Sequence, residues 1–145
     1  MTGLHLAELL TLPVQLRLAG AALVGMGLFH AVLPRFVDWP GDLAGTSLLT
    51  RQVSYVHLFF IGLLCVLFGL LPLLLAPDLL AGTRLGTALL AGETLLWGLR
   101  WLFEFAVFSP KLWRGDAFRT VCHVALSLLW GWETAVFGYA LWRVG

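Results

Sequence analysis

The sequence predicts an all-α integral membrane protein, with four transmembrane helices in an up-and-down bundle, and three observations carry that expectation. Mean hydropathy is +0.92, and 60% of the 145 residues are hydrophobic against 12% charged, where a soluble domain carries about a quarter charged residues. Polar interruptions divide the chain into four segments, each near the roughly 20 apolar residues a helix needs to cross hydrocarbon. The leucine-rich runs lack the period-2 alternation of membrane β-barrel strands. A net charge of +1 argues against a nucleic-acid partner and against a polybasic tether. The expected partners are the lipid bilayer and, within it, another membrane protein or a second copy of the chain.

Residues 4–12 form an apolar lead-in suited to the membrane interface. The first dozen residues hold no Lys or Arg and are followed by no small-residue cleavage site, so no cleaved signal peptide is expected. Pro13 suits the first position of a helix, and the first span is placed at residues 14–33. Gly20, Ala21 and Gly25 allow a close helix crossing there, His30 sits in the last turn, and Pro34-Arg35 stops the helix. Residues 35–50 form the longest loop, with Trp39 as an interfacial anchor and Pro40-Gly41 as a turn. The second span, residues 51–76, has Tyr55 and His57 near its start. Pro77-Asp78 then makes a tight connection, which makes the second and third spans antiparallel neighbours.

The third span is placed at residues 79–108, opening on Gly82 and Gly86 in a GxxxG spacing and ending at Ser109-Pro110. A short basic turn with Trp113 at headgroup level follows. Asp116 is the expected N-cap of the fourth span, residues 117–142. Cys65 and Cys122 fall about 12 Å apart in depth at 1.5 Å of rise per residue, too far for a disulfide. Both read as small buried hydrophobes.

The third span also carries the main functional signal. Glu93, Arg100 and Glu104, spaced seven and four apart, lie on one helix face with Trp97 between them. A charge at bilayer depth costs roughly 3 kcal/mol or more unless it is paired or faces a wet interior, so the stripe points into a bundle. Counting depth from the span ends brings His30, His57, Glu104 and His123 into one layer, one residue from each helix, flanked by Arg35, Arg51, Arg100 and Arg119. Glu93 and Glu133 form a second layer about 15 Å deeper. Five basic residues (Arg35, Arg51, Lys111, Arg114, Arg119) lie on the side of that first layer, and three (Arg17, Arg84, Arg143) on the side of the termini. The positive-inside bias therefore puts both termini outside the cytoplasm.

The layer suits a redox cofactor. Imidazole Nε2 is the usual axial donor for haem iron, and helices 2 and 4 of an up-and-down bundle are diagonal, so His57 and His123 are the pair expected to hold haem b, with His30 in reserve. Arg51, Arg100 and Arg119 are placed to hold its acidic groups, and Glu104 to set the electrostatics. Tyr55, Phe59, Trp97, Trp101, Phe103 and Trp130 suit a flat ring, and the same residues suit a quinone headgroup. A transition metal held by His30, His57, His123 and Glu104 is the second reading. Proton or solute transport along Glu93, Arg100, Glu104, His123 and Glu133 is the third. Against these stands a non-catalytic packing or assembly subunit, in which the histidines straddle the interface, Arg100 and Glu104 form an internal ion pair, and the aromatic residues, Tyr139 and Trp142 included, are belt and core. No residue pattern names a reaction or a catalytic group.

The stretch LRLAGAALVGMGLFH from Leu16 to His30 resembles the opening helix of four-helix bacterial membrane proteins of the DoxX type. The likeness covers about a tenth of the chain and does not continue into the later helices, so no residue role is carried over. The His57–His123 expectation gives a first test. His57→Ala is expected to express at the wild-type level but to purify without cofactor, read from the visible spectrum of the two proteins.

Overall fold

A computed structural model describes residues 11–145; nearly all of the lead-in expected over residues 4–12 lies outside them. Among the described residues every regular element is helical: α1 (Leu12–Phe29), α2 (Leu33–Phe36), α3 (Trp39–Asp42), α4 (Leu48–Leu79), α5 (Arg84–Ala106), a 3-10 turn (Pro110–Leu112) and α6 (Ala117–Val144). Among the described residues three helices, α1, α4 and α6, are long and apolar enough to cross a membrane. The chain is a multi-pass membrane protein by length and composition, with apolar faces for lipid.

The helix ends depart from expectation mainly at prolines. Pro13 does sit in the first turn of α1, where its missing N–H costs nothing. The helix then ends at Phe29, and Pro34 opens the one-turn α2 instead of stopping a longer helix. Pro40 likewise opens α3, after Asp38 in the left-handed region at φ 49°. The chain does not turn at Pro77-Asp78. Its ring crowds the carbonyl four residues back, and α4 absorbs this at Leu75 (φ −118°, ψ 25°) and runs on to Leu79.

The turn comes instead at residues 80–83, where Gly82 holds φ +67°, a conformation that a Cβ disfavours. Gly82 therefore serves the turn and not a GxxxG helix face. Thr83 caps α5, its hydroxyl accepting the Gly86 N–H at 3.0 Å, and α5 ends at Ala106, short of the expected Phe108. Asp116 caps α6 as expected, accepting the Arg119 N–H at 3.0 Å.

The chain forms two compact units, one of residues 17–76 and the other of residues 1–16 with 77–145. Within residues 17–76, α1 and α4 cross in backbone contact. Gly20 faces Gly69 and, seven residues on, Gly27 faces Gly62 seven residues back, so the helices are antiparallel. A methyl group at Gly69 would lie 2.7 Å from the Gly20 carbonyl oxygen and 2.8 Å from the Val24 nitrogen, and one at Gly27 would lie 2.7 Å from Val66 Cγ2. Such small residues let helices associate where lipid removes the hydrophobic drive between them. Of the small residues expected at this crossing, only Gly20 serves it. Ala21 is exposed and Gly25 has no neighbour within 4 Å.

In the other unit α5 and α6 pack along their length. Thr94 meets Gly138, Gly98 meets Thr134 and Trp101 meets Gly131, one number rising as the other falls, which fixes an antiparallel hairpin. Trp132 Nε1 also donates to Gln15 Oε1 at 3.0 Å, tying the first turns of α1 to α6.

The α1–α4 contact predicts that Gly69→Val lowers stability by about 2 kcal/mol through overpacking. Gly25→Val, with open space around it, is expected to leave the thermal midpoint in detergent nearly unchanged.

Candidate functional site: a carboxylate clamp between α5 and α6

The buried face of α5 consists of Gly86, Leu90, Glu93, Trp97 and Glu104, with half-buried Arg100 completing a regular alternation of three- and four-residue steps. That spacing holds one side of an α-helix along its whole length. Leu95, Leu96, Leu99, Leu102 and Phe103 are exposed on the rest of the helix. Every charge of the expected Glu93–Arg100–Glu104 stripe thus lies on the face that the seam covers. On α6 the buried residues are Trp130, Glu133, Val136, Phe137 and Ala140.

Glu104 is the centre of the arrangement, 4% exposed. Arg100 Nη1 donates to its Oε2 at 2.7 Å, one turn back on the same helix, and His123 Nδ1 meets its Oε1 at 2.9 Å from α6. One carboxylate therefore answers a guanidinium and an imidazole with separate oxygens, the charge-assisted geometry that makes such bonds strong. The Arg100 guanidinium also lies over the Trp130 ring at 5.3 Å and the Phe108 ring at 5.6 Å, within cation–π range. Trp113 stacks on the His123 ring at 3.7 Å and 10°, and Phe105 meets that ring edge-on at 6.2 Å.

Below the clamp, Trp97 and Trp130 stack face to face across the seam at 5.2 Å and 4°. Trp97 Nε1 donates to Glu93 Oε2 at 2.6 Å. Glu93, one turn before Trp97, and Glu133, three residues after Trp130, lie to the same side of that stack and are 3% and 0% exposed. Three of their four carboxyl oxygens, Glu93 Oε1 and both of Glu133, have no hydrogen-bond partner among the described residues, and neither does Trp130 Nε1. Ten or eleven residues of helix, about 15 Å of rise, separate the clamp from the carboxyl pair.

The other two histidines belong to residues 17–76 and line separate cavities there. His30 packs its Cβ against Gly62 and borders a largely apolar cavity of about 670 Å³ with Pro34, Tyr55, Phe59 and Val66. His57 is exposed, beside Trp39 and Ile61 on a second cavity of about 510 Å³. Arg51 is half-buried near the start of α4. Arg119 is exposed, its Nε 3.4 Å from Asp116 Oδ2. Among the described residues no three His, Cys, Asp or Glu side chains gather as a metal site.

The three histidines among the described residues all bond through Nδ1: His30 to the Met26 carbonyl at 2.7 Å, His57 to the Val53 carbonyl at 2.9 Å, His123 to Glu104. Carbonyl oxygens only accept, so Nδ1 of His30 and His57 carries the proton and, in the neutral ring, Nε2 keeps its lone pair. A carboxylate on Nδ1 fixes His123 in the same tautomer and orients its ring. Sequence reasoning placed Trp113 in the interfacial belt and missed its stack on His123. The two residues are joined across a turn that no helical period spans.

Glu104→Ala is expected to lower stability by roughly 2 kcal/mol, because it strands Arg100 and His123 at a mostly buried seam. Arg119→Ala removes only an exposed pair and is expected to cost less than about 0.5 kcal/mol; chemical or thermal unfolding in detergent compares the two. No protein-family model matches the chain, and no curated protein or solved structure matches it.

Proposed function

We propose that this chain is a four-span membrane protein that binds a redox cofactor through Nε2 of His123, with b-type haem as the group its donors suit best. The observation that carries the reading is the Nδ1 contact of His123 with Glu104 at 2.9 Å. A histidine ligand of a metal typically donates its other ring nitrogen to a carboxylate or carbonyl, which sets the tautomer and makes the ligating nitrogen more basic. His123 has that partner, and Arg100 holds the partner in turn. When bound, such a group supplies one-electron transfer; the chain supplies the ligand, its orientation and the apolar surround.

The neighbouring residues fit the same role. Trp113 covers one face of the imidazole and Phe105 stands at its edge, restricting ring rotation. Arg119, one helical turn before His123 on α6, leaves most of its guanidinium fork open beyond one long contact with Asp116, a fork that matches carboxylate geometry. The exposed apolar residues of α5 suit lipid, and at 23 residues it extends about 34 Å, enough to cross the hydrocarbon. This supports α5 as the fourth span in spite of its charges. Four spans with five basic residues on the His123 side and three on the other favour both termini outside the cytoplasm.

The test is the visible spectrum, oxidised and dithionite-reduced, of protein purified in mild detergent from haem-sufficient cells. A sharp band that moves on reduction is expected in the wild type. It is expected to vanish in His123→Ala and to shift in Glu104→Gln, since the amide no longer accepts as a carboxylate does. A colourless, metal-free wild-type protein would overturn the haem assignment.

A further inference from the structure

The carboxyl pair of Glu93 and Glu133 lies outside the clamp and has no task in cofactor binding. Its oxygens are poorly satisfied. Of four, only Glu93 Oε2 has a donor, the Trp97 N–H at 2.6 Å, while three have no partner among the described residues. Buried polar atoms are seldom left so, and two buried carboxylates to the same side of one tryptophan stack need positive charge to offset them.

Among the described residues of α5 and α6, no side chain is paired with these carboxyls to supply that charge. On α5 and α6 the basic residues are Arg84, Arg100, Arg119, His123 and Arg143. Arg100 is committed to Glu104, and the stacked Trp97–Trp130 pair stands between it and the carboxyls in chain order. His123 meets Glu104 and lies ten residues from Glu133. Arg84, Arg119 and Arg143 are exposed towards the helix ends, Arg143 beside the Tyr139 hydroxyl at 3.4 Å. The α1 residues that join this unit, Leu12 to Leu16, carry no charge, nor do residues 79–83. Asp78 has the wrong sign.

From this geometry we infer that Glu93 and Glu133 form a binding site for a dissociable monovalent cation, an alkali-metal ion or a hydrogen ion. Either supplies one positive charge to oxygens that now lack a donor. Of the two, the hydrogen ion asks least of the site, since two carboxyl oxygens hold it, whereas divalent metal ions take six or more oxygen ligands or an octahedral shell. The Trp97 N–H locks Glu93 in place, so Glu133, both of whose oxygens are without a partner, carries the ion on the α6 side. The site is independent of the cofactor assignment.

The experiment uses full-length protein in lipid nanodiscs. In one arm NaCl or KCl replaces choline chloride at fixed pH and ionic strength, read by tryptophan fluorescence, since Trp97 is bonded to Glu93. In the other, pH is varied in choline chloride alone and read by the infrared carbonyl band of a protonated carboxyl. A saturable change is expected in one arm, which identifies the ion. Glu133→Gln and Glu93→Gln are each expected to remove it or to weaken it roughly tenfold or more, about 1.4 kcal/mol. If the Gln variants do not elute as monodisperse protein, Glu133→Asp is expected to move the midpoint. No saturable change in either arm, or one that all these substitutions leave in place, would overturn the site.

Discussion

A charge buried among apolar side chains must find its counterpart inside the protein, and that constraint shapes the α5–α6 hairpin. Once Glu93, Arg100 and Glu104 occupy a helix of membrane-spanning length, the helix has to turn them all to one side and cover that side. It does so by keeping these three charges on the seam with α6 and leaving leucine and phenylalanine outside. The partner helix then has to answer, and His123 does so at Glu104. Position 100 illustrates how the demand is met at Glu104. One guanidinium is used by a carboxylate in its own helix and by aromatic faces on and beside the seam. Arginine suits such sharing because its planar head is weakly hydrated and stacks.

The two units close their helix pairs by different means. In residues 17–76 the contact is backbone against backbone, with glycines at heptad spacing on both α1 and α4, and the polar residues stay at the margins. In the α5–α6 hairpin small residues also line the contact, Gly98, Gly131 and Gly138, each against a side chain of the facing helix. There the small-residue line runs beside a second line of tryptophans, carboxyls and an imidazole. The first line sets the distance between helices, and the second uses it. Trp97 and Trp130 can stack at 5.2 Å only because the neighbouring line holds the backbones in register.

The helical membrane class, the buried stripe of α5 and the Asp116 cap were legible in the sequence because each rests on a local spacing. Depth alone placed Glu104 in one layer with His123, since an antiparallel hairpin matches residues equidistant from its turn, but it did not single out His123 from His30 and His57 as the partner. Helix ends were less legible. Proline was read as a terminator at Pro34 and Pro77, yet it opens a helical turn in one place and is absorbed by a kink in the other. Glycine was read as a packing residue at Gly25 and Gly82, yet one is open and the other bends the chain. Which face of a helix a glycine serves depends on the partner helix, and that is not written in its own neighbourhood. The contact between Trp113 and His123 was out of reach for a related reason, because the turn between them follows no period.

The order of synthesis gives the hairpin a further significance. With α5 read as a span, its buried charges are exposed to lipid until α6 has been made, because the imidazole that meets Glu104 and most of the surface that hides the stripe come from that later segment. Released alone into the bilayer, α5 would be a poor resident. The ribosome delivers its partner after only a short turn, however, and the two helices can leave the insertion machinery together as one unit. The covered stripe is therefore also an instruction for biogenesis, since it makes the hairpin and not the single helix the smallest piece that membrane integration can accept.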